Sequence, residues 1–328
     1  MGNFNFKKEC LGYFCFLFFV FLASGCKGEV DMSTESMVID QVSEGNKIIY
    51  TVNMNSKEMF CGGVINGMEQ LDNLSTRDGT FFSGFNATAF LHKGDNELEL
   101  LVASADIYEG GSEHRENGRC EAVVNAALKD MEVIELTSLS VDVIDGRPSI
   151  ASSKKYPEMH RTDLENLSGI QEGRATTFKR NIYIKTIPEW AWTRATPFVE
   201  NNDNMKKLRR SYIEVIDLMK NKDYKALEAA WSLSSREKAL AEGFQSSPED
   251  FFNAIGIERE MNDADDVEVL EPRSWNEYQL KSYMGGKLVR LEDKRGHSPL
   301  RVASDSQNWV TSFTPYFSII DGRLVISR

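Results

Sequence analysis

Apolar and polar positions change rhythm several times along the chain. From Leu11 to Leu22 (Leu-Gly-Tyr-Phe-Cys-Phe-Leu-Phe-Phe-Val-Phe-Leu) the residues are almost unbroken in their apolarity, behind a pair of lysines, Lys7 and Lys8. A run of about 12 residues falls short of the roughly 20 that cross a bilayer. With a positive n-region before it and small residues after it, the segment reads as an export signal over residues 1–25. Residues 26–45 are polar apart from Met37, Val38 and Ile39, which predicts a tether.

Over residues 46–150 the apolar residues come in short β-branched and aromatic runs separated by turn residues. Ile48 to Met54 fits a strand, and Asn66-Gly67 after Gly62-Gly63-Val64-Ile65 is a strong hairpin signal. Thr80 to Leu91 and Glu97 to Ala103 flank a turn at Lys93-Gly94-Asp95-Asn96. Val133 to Leu136 and the alternating Leu139 to Ile144 precede Asp145-Gly146, while Glu121 to Leu128 fits a short helix or a strand equally well. Short strands at this spacing predict an antiparallel β-sandwich. Residues 151–180, with Ser152-Ser153-Lys154-Lys155 and Pro157, read as a linker.

The period then lengthens. Asn181 to Ile187 fits a strand leading into Pro188-Glu189-Trp190-Ala191-Trp192. Met205, Leu208, Tyr212, Val215, Ile216 and Met219 recur at helical spacing, predicting a helix over 204–220 with Asp203 or Asn204 as its N-cap. Tyr224, Leu227, Ala230 and Trp231 predict a second helix. Ser247-Pro248-Glu249-Asp250 sets a cap, an N1 proline and first-turn acids in the order that starts a third. Strand-like runs follow at Tyr278 to Tyr283, Lys287 to Leu291, Trp309 to Phe313, Phe317 to Ile320 and Arg323 to Ile326, with a turn at Asp321-Gly322. The expected fold is therefore α+β in two domains, with residues 181–328 forming helices packed on an antiparallel sheet.

The first of the resemblances in this chain is carried by Leu22-Ala23-Ser24-Gly25-Cys26 after the apolar run. The segment resembles the signal and lipobox of bacterial lipoproteins, with Ala23 where leucine is usual and Leu22 one place early. The resemblance implies cleavage before Cys26, acylation of that cysteine and attachment to the cell envelope. Lys27 in place of an aspartate implies the outer membrane, with the body facing the periplasm. Asn66-Gly67 with Leu91 to Leu100 is similar to the paired strands of jelly-roll accessory domains in carbohydrate-active proteins. The helices-then-sheet order is similar to cone-shaped domains of the nuclear transport factor 2-like type.

Export changes the meaning of the five cysteines. Cys10 and Cys15 leave with the signal and Cys26 takes the lipid, so Cys61 and Cys120 remain to pair in an oxidising compartment. The formal charge of −12 disfavours nucleic acid as a partner, and it fits both an ordinary acidic surface and attraction to a basic protein.

Catalytic motifs are not evident. His92, His114, His160 and His297 stand far apart with no ligand spacing, and neither a Gly-x-Ser-x-Gly elbow nor a phosphate-binding Gly-Lys-Ser/Thr loop occurs. No metal, cofactor or catalytic residue is therefore expected. Asp263, Asp265, Asp266 and Glu268 form the densest acidic run; it lacks the central glycine of an EF-hand loop and fits either a solvated loop or a patch for a basic partner. Trp190 and Trp192, spaced to share one strand face, fit either a packed core or an aromatic binding platform.

In layout the chain is similar to lipoproteins that serve bacteria as immunity factors against toxins delivered into the periplasm. The expectation is a non-catalytic, membrane-anchored binding protein of that kind. An envelope glycan-binding or scaffold lipoprotein is the alternative, and an envelope hydrolase acting through a carboxylate pair stands behind both.

Overall fold

A computed structural model describes residues 48–76, 78–128, 133–154, 169–242 and 247–328. The export signal, Cys26, the tether and residues 155–168 of the expected linker lie outside the described residues. The described chain is α+β, and its strands pair antiparallel throughout.

The N-terminal domain is a sandwich of two five-stranded sheets. One sheet runs β4 (Phe81–Asn86), β1 (Ile48–Lys57), β6 (Arg119–Leu128), β7 (Ile134–Ile144) and β8 (Arg147–Lys154). The other runs β3 (Met68–Asp72), β2 (Met59–Ile65), β5 (Gly94–Ser104), β10 (Ala175–Ile184) and β9 (Ile170–Glu172). Tyr50, Val52 and Met54 of β1 alternate inward against Leu98, Leu100 and Val102 of β5, so the period of two places one core between the sheets. Cys61 of β2 and Cys120 of β6 form a disulfide across that core, with Cα atoms 5.8 Å apart. Both are fully buried, so the bridge ties one sheet to the other at the centre of the domain.

Several expectations are corrected here. Glu121 to Leu128 is strand, part of β6. The turn expected at Lys93 to Asn96 is mostly strand, because β5 begins at Gly94; β4 and β5 lie in opposite sheets, joined through a 3-10 turn at Thr88–Phe90. The expected linker holds the end of β8, all of β9 and the start of β10, and β10 runs along β5 from Thr176 opposite Val102 to Ile184 opposite Gly94. The sandwich thus extends to Ile184, because polar residues such as Ser149, Ser152 and Lys179 suit strands that expose one face.

Three helices open the C-terminal domain. α1 (Asn202–Lys220) is capped by Asn201, whose side chain accepts from the Asn204 amide, so the cap lies two residues before Asp203 and three before Asn204, the two expected caps. It buries Leu208, Tyr212, Val215, Ile216 and Met219, and the Tyr212 hydroxyl accepts the Leu291 amide at 3.0 Å. α2 (Tyr224–Glu242) follows, and α3 (Pro248–Ile255) begins at a reciprocal capping box between Ser247 and Asp250. A one-turn helix, α4 (Ile257–Met261), then leads to two small sheets. One contains β11 (Glu268–Val269), β14 (Leu300–Ser304) and β15 (Trp309–Phe313). The second contains β12 (Gln279–Tyr283), β13 (Leu288–Glu292), β16 (Phe317–Ile320) and β17 (Arg323–Ile326). The helices share a core with both sheets, through Trp231, Phe252, Val289, Val302 and Phe317.

Candidate functional site

The acidic run forms the loop between α4 and β11. Asp266 turns its carboxylate back onto the β14–β15 turn, accepting from the Ser304 hydroxyl at 2.8 Å and from the Ser306 amide and hydroxyl at 2.7 and 2.9 Å. These donors hold its pKa at about 2, below the ordinary aspartate value of 3.8. At the other end of the loop, the Asn262 side-chain oxygen accepts from Lys222 and Tyr224 at 3.5 and 3.4 Å. The loop is therefore pinned at both ends. Asp263, Asp265 and Glu268 are exposed from it, whereas Asp266 serves the loop's own conformation.

Trp190 and Trp192 are elsewhere, and neither is a surface platform. Each is only 1% exposed. Trp190 precedes and Trp192 lies within a 3-10 turn (Ala191–Arg194), so they do not share the face of a strand. The indole of Trp190 donates to the Thr88 and Leu91 carbonyls at 3.1 and 3.0 Å, and that of Trp192 to the Ala89 carbonyl at 3.3 Å. Large rings with one polar atom are well suited to such a role, filling a junction while satisfying otherwise orphaned carbonyls. The Thr88–Phe90 turn they clasp is braced in turn by Asn66 and Asn96. Asn66 donates to the Phe90 carbonyl and to Asn96, which donates to the carbonyls of His92 and Gly94. The residues that carried the jelly-roll resemblance thus shape the domain junction.

Arg328 closes this junction from the other side. Its guanidinium lies 5.5 Å from the Trp190 ring and 5.8 Å from the Trp192 ring, donates to the Ala89 carbonyl at 2.8 Å and pairs with Glu237 at 2.6 Å. The second oxygen of Glu237 accepts the Ala191 amide at 2.7 Å. Burial lowers the Arg328 pKa to about 10 against the opposing effect of Glu237, which leaves the group charged at neutral pH.

Two further groupings flank the junction. On one side a cavity of about 380 Å³ opens between the Thr88–Phe90 turn, α2 and α3, lined by Asn86, Phe90, Lys238, Glu242, Phe251 and Ile255 among others. Asn86 donates to Glu242 at 2.9 Å, and the Lys238 ammonium stands 5.9 Å from the centre of the Phe90 ring. On the other side, Arg290 of β13 stacks 4.5 Å from the Tyr316 ring and 5.7 Å from Tyr283, and pairs with Glu292. Glu69, on β3 of the sandwich, feels this group: desolvation, Asp72 and Glu292 push its carboxyl up while Arg290 opposes them. Glu69 therefore takes up a proton at higher pH than an ordinary glutamate.

The histidines stay apart. His92 meets Trp192 edge-on at 5.9 Å, and His297 lies 3.6 Å from Asp293. His114 occupies a loop of the sandwich, and His160 lies outside the described residues. Sequence reading missed Glu237, Lys238 and Arg328, although α2 carries a signal for one of them. Leu227, Trp231, Ser234, Lys238 and Ala241 follow one another at intervals of three and four, so Lys238 sits on the inward stripe of the helix. No family model, curated protein or solved structure matches this chain.

Proposed function

We propose that the protein is a non-catalytic binding protein of the bacterial cell envelope, lipid-anchored at Cys26 and facing the periplasm, whose partner is a protein with a basic surface. An immunity protein that neutralises a secreted antibacterial toxin is the form of this function that fits best. Its address rests on the lipobox-like segment Leu22 to Cys26. One observation carries the binding role: the acidic loop is pinned by Asn262 and Asp266 while Asp263, Asp265 and Glu268 stay exposed.

A pinned loop has little conformational freedom left to lose when a partner docks, so its charges act at a reduced entropic cost. Complementary charge also speeds encounter and penalises partners of like sign. The test combines two readouts. Labelled palmitate should enter the wild-type chain but not Cys26→Ser, which reads the address. Reversing Asp263, Asp265 and Glu268 to lysine should abolish protection of cells from toxin-delivering neighbours without lowering the amount of folded protein. Full protection by the reversed chain would overturn the assignment of the loop.

A further inference from the structure

Lys238 is out of place for a surface lysine. It lies on the inward stripe of α2, partly buried, and helps line the cavity beside the domain junction. The rest of that lining is largely apolar, with Phe90 from the sandwich and Phe251 and Ile255 from α3. Among the described residues no carboxylate stands within ion-pair distance of the ammonium.

The charged groups around it explain why. Glu237, one residue earlier on α2, is engaged by Arg328 and the Ala191 amide. Glu242, one turn later, is engaged by Asn86. The charge that acts on Lys238 is that of Arg328, which has the same sign; α3 contributes Phe251, Ala254 and Ile255 to the lining and no ionisable group. Desolvation and Arg328 together lower the lysine to about 8. An ammonium in an apolar pocket without a counter-ion is costly, and a bound anion relieves that cost.

We propose that this cavity is a ligand site for a small aliphatic carboxylate, the carboxylate pairing with Lys238 and the hydrocarbon lying against Phe90, Phe251 and Ile255. At ~30 Å³ for each water-sized group, the cavity has room for on the order of ten heavy atoms, which matches a medium-chain acid. The site is separate from the acidic loop and does not depend on the partner-binding role.

Octanoate is the probe, titrated calorimetrically into the full-length protein in lipid nanodiscs, with empty nanodiscs as the blank and octan-1-ol and octylamine as controls of equal length. Saturable 1:1 binding of octanoate is expected, at least about tenfold tighter than octan-1-ol, with no binding of octylamine. Affinity should fall about tenfold between pH 7 and pH 9 as the lysine loses its proton. Lys238→Met should bind octanoate and octan-1-ol equally. Lys238→Arg, which keeps the charge at both pH values, should retain the preference for the anion and lose the pH dependence. Circular dichroism and the melting temperature establish that each variant is folded. Equal binding of acid and alcohol by the wild type, absence of saturable binding, or an unchanged preference in a folded Lys238→Met chain would overturn the proposal.

Discussion

At the scale of single residues, position in the fold decides which charges act outward and which hold the chain together. Asp266 is one of four acids close together in the sequence and is as exposed as the others, yet its three hydrogen bonds to Ser304 and Ser306 engage it within the chain. Its folded pKa is depressed to about 2 from 3.8, so its contribution to stability is fully present above about pH 4 and is lost as pH falls through 2. Urea midpoints of the wild type and Asp266→Asn should therefore differ at pH 7 and converge by pH 2. Lys238 has the opposite linkage. Its folded pKa is lowered to about 8 from 10.5, so the unfolded chain binds the extra proton between those values and stability rises with pH across that window. Lys238→Met should be more stable than the wild type at pH 7, by at most about 3 kcal/mol, and should lose that rise. A wild-type stability that is flat from pH 8 to 10 would contradict the assignment.

At the scale of elements, what could be read in the sequence depended on whether local chemistry or distant pairing decides the structure. Asn66-Gly67, Asp145-Gly146 and Asp321-Gly322 each place both turn residues at positive φ, the geometry a two-residue hairpin requires. At Gly67 a Cβ would also lie 3.3 Å from the Tyr283 ring of the other domain, a tight contact on top of the positive φ. α1 and α3 were legible from periodicity and capping for the same local reason. β8, β9 and the first part of β10 were not, although Asn181 to Ile184 of β10 fell in an expected strand, because polar strands are recognisable only beside the neighbours that pair with them, here β7, β10 and β5. The disulfide was legible by counting, and its position between the sheets gives it a measurable effect. With 59 residues separating Cys61 from Cys120, the double substitution to alanine should cost about 4 kcal/mol of unfolding free energy. A loss below about 1 kcal/mol in urea titrations would show that the bridge constrains little of the unfolded chain.

At the scale of the whole molecule, the candidate site was only half legible. The acidic loop could be nominated from its composition, whereas the tryptophans nominated beside it belong to the contact between the domains. Sequence offers no way to tell a buried aromatic pair from an exposed one when both sit in a Pro-rich connection. Met68, Ala89, Trp190, Trp192, Ala241, Leu288 and Tyr316 form one buried cluster drawn from both domains, with the Arg328–Glu237 pair at its edge. An apolar junction of this kind couples the two folds, so the wild type should unfold in a single transition that fluorescence and circular dichroism report identically. Trp192→Ala should separate the two probes and cost about 3–5 kcal/mol; coincident transitions in that variant would show that the coupling does not depend on Trp192. A coupled body gives the acidic loop a fixed place relative to the sandwich. The most direct measurement of the central claim is survival in mixed culture with toxin-delivering bacteria, comparing cells that carry the gene, cells that lack it and cells whose protein has Asp263, Asp265 and Glu268 reversed to lysine. The account predicts that only the first survive in number, and equal survival of all three would contradict it.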